Sequence, residues 1–126
     1  MLVGIDASRA VADRPTGTET YSQRLIHALL RLDTENVFRL YFRRSPSPGQ
    51  FEGAEHRVIP FPRLWTHIRL AWEVAANPPD LLFVPSHVVP LVHPARTVVT
   101  IHDLGYLHFP TAHPWQQRAY LDLSTR

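Results

Sequence analysis

The chain has 126 residues, enough for one hydrophobic core and one domain of modest size. Its composition, 44% hydrophobic and 19% charged, belongs to a globular protein, and the absence of cysteine excludes disulfides, thiolate metal sites and a cysteine nucleophile. All 13 basic residues are arginine, which excludes lysine Schiff-base chemistry and a P-loop lysine, and a net charge of +2 gives no basic stripe for nucleic acid.

The run Leu2 to Ile5, closed by Asp6, reads as a buried strand that opens the fold. It has no basic segment before it and so does not resemble a secretory signal, which fits a cytoplasmic protein. No apolar run reaches the roughly 18–20 residues of a membrane span. A polar loop with Arg9, Arg14 and Pro15 follows. From Thr18 to Asp33 the period becomes helical, with Tyr21, Leu25, Ala28, Leu29 and Leu32 on one expected face. Thr16-Gly17-Thr18-Glu19 fits a capping box and fixes the start of this helix.

Val37 to Phe42 is the next strand, rich in aromatic and β-branched residues. Ser45-Pro46-Ser47-Pro48-Gly49 is a surface loop, and His56 to Phe61 is a third strand closed by proline. A second helix is expected from Leu64 to Ala76, with Leu64, Ile68, Ala71, Trp72 and Ala75 at helical spacing, and Asn77-Pro78-Pro79 stops it. Leu81 to Val84 and Thr97 to Ile101 read as strands buried on both faces of a parallel sheet. A third helix is expected near His113-Pro114, where proline suits a first turn.

This order predicts an α/β fold, Rossmann-like and doubly wound around a mostly parallel sheet. The chain reads as a single domain over residues 1–126. It stops at Arg126 inside an expected helix, so the domain is expected to be incomplete at its C-terminal end.

Ligands of open parallel sheets bind beyond the carboxyl ends of the strands. Three segments fall there: the loop from Asp6 to Thr18, Pro85-Ser86-His87, and His102-Asp103. Gly17 opens a helix N-terminus that favours an anion, although Glu19 in the same turn opposes one, and a left-handed turn with a cap explains the glycine equally well. His102 can serve as a general base or bind a sugar hydroxyl, with Asp103 fixing its tautomer. Equally, His102 can be a strand-end residue bonded to loop backbone, and His87 has the same two readings. The eight histidines have no metal-ligand spacing, so no metal is expected. There is no G-x-G-x-x-G for a nicotinamide or flavin cofactor and no G-x-S-x-G elbow. Trp65, Trp72 and Trp115 read as core or helix-packing residues, with Trp115 also placed to stack on a sugar.

Gly4-Ile5-Asp6-Ala7-Ser8-Arg9, then Thr16-Gly17-Thr18-Glu19-Thr20-Tyr21, then Pro79-Asp80-Leu81-Leu82-Phe83-Val84-Pro85-Ser86-His87, and finally Thr97-Val98-Val99-Thr100-Ile101-His102-Asp103-Leu104 with Phe109-Pro110 resemble, in order and spacing, the N-terminal part of GT-B glycosyltransferases of family 4. The resemblance implies one of two facing Rossmann-like domains, with the acceptor on this side and a nucleotide-sugar donor held mainly by a C-terminal domain. It also implies retention of anomeric configuration and no metal cofactor.

Carried over by motif, His102 is the candidate catalytic residue. Gly17, Thr18, Ser86, His87 and Asp103 are candidate substrate-binding residues, with Asp103 supporting its loop. Many relatives carry two glycines in the first loop, whereas only Gly17 stands here. The expected partners are a nucleotide-sugar donor, a saccharide or lipid-linked acceptor and the absent C-terminal domain, without which the chain should not transfer sugar. Arg43, Arg44, Arg63 and Arg69 fit either a solvated surface or peripheral contact with the inner membrane face. A non-catalytic α/β binding domain, or a half that pairs with a separately encoded partner, is the alternative.

Overall fold

A computed structural model describes residues 1–61, 64–86 and 88–102. The expected third helix near His113, together with Arg63, His87, Asp103 and Trp115, lies outside the described residues. In chain order the elements are β1 (Leu2–Asp6), α1 (Gly17–Leu32), β2 (Val37–Phe42), β3 (Glu55–Val58), a π-helical segment (Trp65–Leu70) that runs into α2 (Ala71–Ala76), β4 (Leu81–Val84) and β5 (Thr97–Val99).

The strands form one five-stranded sheet in the order β3-β2-β1-β4-β5. Every pairing is parallel, including Ile5↔Leu40 and Ile5↔Phe83 on the two sides of β1. The sheet is thus Rossmann-like and doubly wound, and parallel throughout where a mostly parallel one was expected. The chain winds outward from β1 in one direction and later returns to its other side at β4. The carboxyl ends of β1 and β4, where the order reverses, are where open parallel sheets place their ligands.

Alternation along the strands supplies two cores. On one face Val3, Ile5, Phe38, Leu40 and Phe42 pack with Ile26 of α1 and Phe51. Phe51 comes from the β2–β3 connection, where its φ of 60° is left-handed, and its ring lies 5.8 Å from that of Phe42. On the other face Tyr41, Leu82 and Val84 pack with Trp65, Leu70 and Val74. Burying such side chains contributes about 1.5–3 kcal/mol each, the main term holding the helices on the sheet.

The helix faces differ from the sequence expectation. In α1 the fully buried residues are Ser22 and Ile26, while Tyr21 is exposed and Leu32 is 83% exposed. The Ser22 hydroxyl donates to the Thr18 carbonyl at 2.9 Å, so a polar residue occupies the core face without an unpaired group. In the second helical region Trp65, Leu70, Ala71 and Val74 are buried, whereas Leu64, Ile68 and Trp72 lie outside, Trp72 at 69% exposure. A π-helical turn takes more residues than an α-turn, so the entry through Trp65–Leu70 rotates everything downstream away from the 3.6-residue pattern.

β5 also departs from its expected double burial. Among the described residues it is an edge strand, with Val98 50% exposed.

Candidate functional site

Because all strands are parallel, the residues after β1, β2, β3, β4 and β5 share one rim. Backbone bonds carry the ladder onto it: Ala7 N–H to Tyr41 at 2.9 Å, Ile59 N–H to Phe42 at 2.8 Å and Thr100 N–H to Val84 at 2.9 Å.

The β1–α1 loop is tied from both ends. Glu19 accepts the Thr16 backbone N–H at 2.9 Å while the Thr16 side chain accepts the Glu19 backbone N–H, the two halves of the expected capping box, and the Thr16 hydroxyl also donates to the Glu19 carboxylate. Its other oxygen lies 3.2 Å from Arg9 Nη1. The hydroxyl bond, with smaller help from the Thr16 N–H and Arg9, pulls the Glu19 pKa down to about 2. From the β2 end, Arg44 donates to Val11 O at 2.7 Å and to Asp13 at 2.8 Å.

Asp6 closes β1, at the reversal of strand order, and is only 2% exposed. The Ser8 N–H donates to it at 3.0 Å. Burial pushes its pKa up, and hydrogen bonds from Ser8 and the charge of Arg9 oppose that shift without cancelling it. A desolvated carboxyl at a topological switch is a recognised mark of a functional position. In the sequence Asp6 marks the end of a strand and the start of the candidate loop Asp6 to Thr18, with no sign of burial. Its burial was not legible because a strand-ending acid is ordinarily solvated.

Gly17 and Thr18 begin α1 on this rim. A Cβ on Gly17 would meet nothing within 4 Å, and the left-handed glycines are Gly49 and Gly53, so a left-handed turn does not account for Gly17. The helix N-terminus is already served by the Glu19 carboxylate, the internal anion that a capping box supplies.

Ser86 is buried after β4. His102 is exposed after β5, and its Nε2–H donates to Pro85 O at 2.8 Å. A carbonyl only accepts, so a neutral His102 carries its proton on Nε2 and presents the lone pair of Nδ1. Its ring meets that of Tyr21 edge-on at 4.9 Å, and Tyr21 Oη lies 3.3 Å from Thr100 Oγ1. The structure therefore brings His102 to the first turns of α1, close in sequence to Gly17 and Thr18, and to the segment preceding Ser86.

A second feature of the rim lies across α1. A cleft of about 770 Å³ opens between the ends of β1, β2 and β3 and the start of the π-helical segment. Arg9, Glu19, Arg43, Arg44, Phe61 and Trp65 are among its walls, and neither Ser86 nor His102 lines it. Trp65 is held by its Nε1–H donating to Ile59 O at 2.7 Å, and Arg43 Nε donates to Phe61 O at 3.0 Å. Glu19 and Tyr21 are two residues apart on a helix, about 200° of rotation, so they point to opposite sides of α1. The first turn of α1 thus separates the arginine-lined cleft from the His102 ledge. No sequence motif marked this cleft, because its walls come from segments that meet only in the fold.

Among the described residues no group of His, Asp or Glu is arranged to hold a metal ion, and no helix is long and apolar enough to cross a membrane. The chain matches no protein-family model, no curated protein and no solved structure.

Proposed function

We propose that the chain is the acceptor-side, N-terminal portion of a retaining GT-B glycosyltransferase, moving a sugar from a nucleotide-sugar donor to a saccharide or lipid-linked acceptor. The observation that supports this reading most is the position of His102. It stands on the carboxyl rim of the sheet with its Nε2–H engaged by Pro85 and its Nδ1 available as an acceptor. A neutral imidazole so oriented can take a hydrogen bond from a sugar hydroxyl and hold the saccharide at the reacting centre. Gly17, Thr18 and Ser86 belong to segments of the same rim, and the β1–β4 switch is where such folds bind ligands.

In this reading the donor's diphosphate is held chiefly by a C-terminal domain that faces the rim. Stabilising the leaving group is usually the largest contribution to catalysis, so the chain alone binds saccharide without transferring sugar. It works on the cytoplasmic side, with peripheral contact at the inner membrane face when the acceptor is lipid-linked. No metal cofactor enters the proposal.

Calorimetric titration of the chain with neutral saccharides and with nucleotide sugars tests it. The expected result is weak saccharide binding, abolished in His102→Ala, and no nucleotide release from any nucleotide sugar. Transfer by the chain alone, or saccharide binding unaffected by His102→Ala, contradicts it.

A further inference from the structure

Tyr21 is a large aromatic residue that the core does not use. It lies near the start of α1 with 39% of its surface exposed, and neither of the two core clusters includes it. Its side chain reaches β5 and the residues after it. Tyr21 Oη lies 3.3 Å from Thr100 Oγ1, and the Tyr21 ring meets the His102 imidazole at 4.9 Å with the two planes at 88°. A perpendicular pair at that distance is one of the preferred arrangements of two rings.

The groups on the β5 side are themselves fixed. The Thr100 N–H donates to Val84 O at 2.9 Å and so continues the sheet ladder. Pro85, whose carbonyl accepts the His102 Nε2–H at 2.8 Å, is fully buried. That hydrogen bond fixes one atom of an exposed imidazole and leaves the ring free to turn about the bond. The perpendicular Tyr21 ring sets the plane, and with it the direction of the Nδ1 lone pair. Tyr21 is also four residues beyond Gly17 and three beyond Thr18, which puts all three on one side of α1.

We propose that Tyr21 is the positioning residue of this rim: it holds the His102 imidazole in the orientation that accepts a saccharide hydroxyl. This role rests on the glycosyltransferase reading for its meaning, and it deepens that reading by naming what preorganises the acceptor ledge. An imidazole already held in place gives up little rotamer freedom when a ligand arrives, so affinity rises. The ring does the positioning and the hydroxyl tethers it to Thr100, so phenylalanine can replace Tyr21 and leucine cannot.

Nitrogen NMR spectra of the intact chain, isotopically labelled at histidine and kept in alkaline buffer where imidazole is neutral, read the orientation without any ligand. In the unaltered chain and in Tyr21→Phe, His102 is expected to show one protonated and one unprotonated ring nitrogen, well separated in shift. In Tyr21→Leu the two shifts are expected to draw together as the ring leaves Pro85 and its tautomers mix. Tyr21 stands outside both cores, so thermal melts of the two variants should match the unaltered chain. Titration with methyl glucoside gives the second readout: binding should weaken about two- to tenfold in Tyr21→Leu, the effect of one aromatic pair, and be retained in Tyr21→Phe. Unchanged His102 shifts in a folded Tyr21→Leu chain overturn the proposal, as does an equal change in the phenylalanine and leucine variants. Methyl glucoside binding that depends on His102 but not on Tyr21 removes the positioning role and leaves the acceptor reading standing. His102 shifts that depend on Tyr21, with methyl glucoside binding absent or indifferent to His102→Ala, keep the ring pair and remove the glycosyltransferase reading.

Discussion

Arg9 Nη1 stands 3.2 Å from Glu19 Oε1, and the contact joins two parts of the chain separated by ten residues. It fastens the β1–α1 loop to the first turn of the helix, where Glu19 also serves the Thr16 N–H. One carboxylate thereby sets both the start of α1 and one wall of the cleft.

Replacing Glu19 with Ala removes the capping box and the ion pair together. A cost of about 1 kcal/mol is expected at neutral pH. Since the Glu19 pKa is lowered from 4.5 to about 2, its ionised form favours the folded chain. That contribution is complete above pH 4.5 and falls away as pH drops toward 2. Urea denaturation of both proteins across this window checks it: the gap should close at the acid end, and a constant gap would show that the carboxylate charge plays no part.

Asp6 carries the opposite sign. Its pKa is raised by burial, so folding favours the protonated acid. The corresponding stability is fullest below the ordinary value of 3.8 and is lost as pH rises through the raised value. Asp6→Asn keeps an oxygen for the Ser8 N–H and has no charge to bury. It should melt above the unaltered chain at neutral pH and converge with it in acid. Parallel melting curves over the same range would rule out a desolvated carboxylate.

Gly4 and Gly17 are expected to respond differently to alanine. A Cβ on Gly4 would come within 2.9 Å of both Tyr41 Cε2 and Pro79 Cγ, so Gly4→Ala should cost about 1–3 kcal/mol through overpacking. Gly17 has open space, and Gly17→Ala should leave stability unchanged or raise it by up to about 1 kcal/mol. Thermal melts compare the two. A Gly17→Ala chain that folds normally but binds saccharide more weakly would show that a ligand approaches the backbone there.

Trp65→Phe keeps most of the apolar packing and removes the donor to Ile59 O. Leaving that buried carbonyl unpaired should cost about 1–3 kcal/mol. The cleft wall should loosen with it, seen as faster hydrogen exchange at Phe61. Unchanged stability would mean that the carbonyl finds another partner.

Much of the architecture is written locally. β2 and β4 run over Val37–Phe42 and Leu81–Val84, the bounds that their apolar runs mark. α1 begins at Gly17, as Thr16 and Glu19 require. What is not local is less legible. β3 and β5 end earlier than expected, at Val58 rather than Phe61 and at Val99 rather than Ile101, because residue type does not say where pairing stops. Leu64, Ile68 and Trp72 have the spacing of a core stripe and lie outside, since the π-helical turn changes the period that such spacing assumes.

The candidate site divides in the same way. Ser86 and His102 are found at strand ends because strand positions and parallel pairing follow from the pattern of elements, whereas the strand order comes only from the fold. The cleft depends on Arg9, Arg44 and Phe61 meeting from three separate segments, whereas the pair Arg43-Arg44 read in isolation fits either a solvated surface or peripheral membrane contact. Asp6 is buried at the end of the central strand β1, a place in the sheet that the residue type does not reveal.

The most direct test of the acceptor role is a map of backbone amide shifts on adding saccharide to the isotopically labelled chain. The account predicts that the perturbed amides gather on the carboxyl rim, at Ser8, Gly17, Thr18, Ser86 and His102, and that His102→Ala erases the pattern. Perturbations that avoid this rim, or gather at the opposite ends of the strands near Leu2 and Val37, would contradict it.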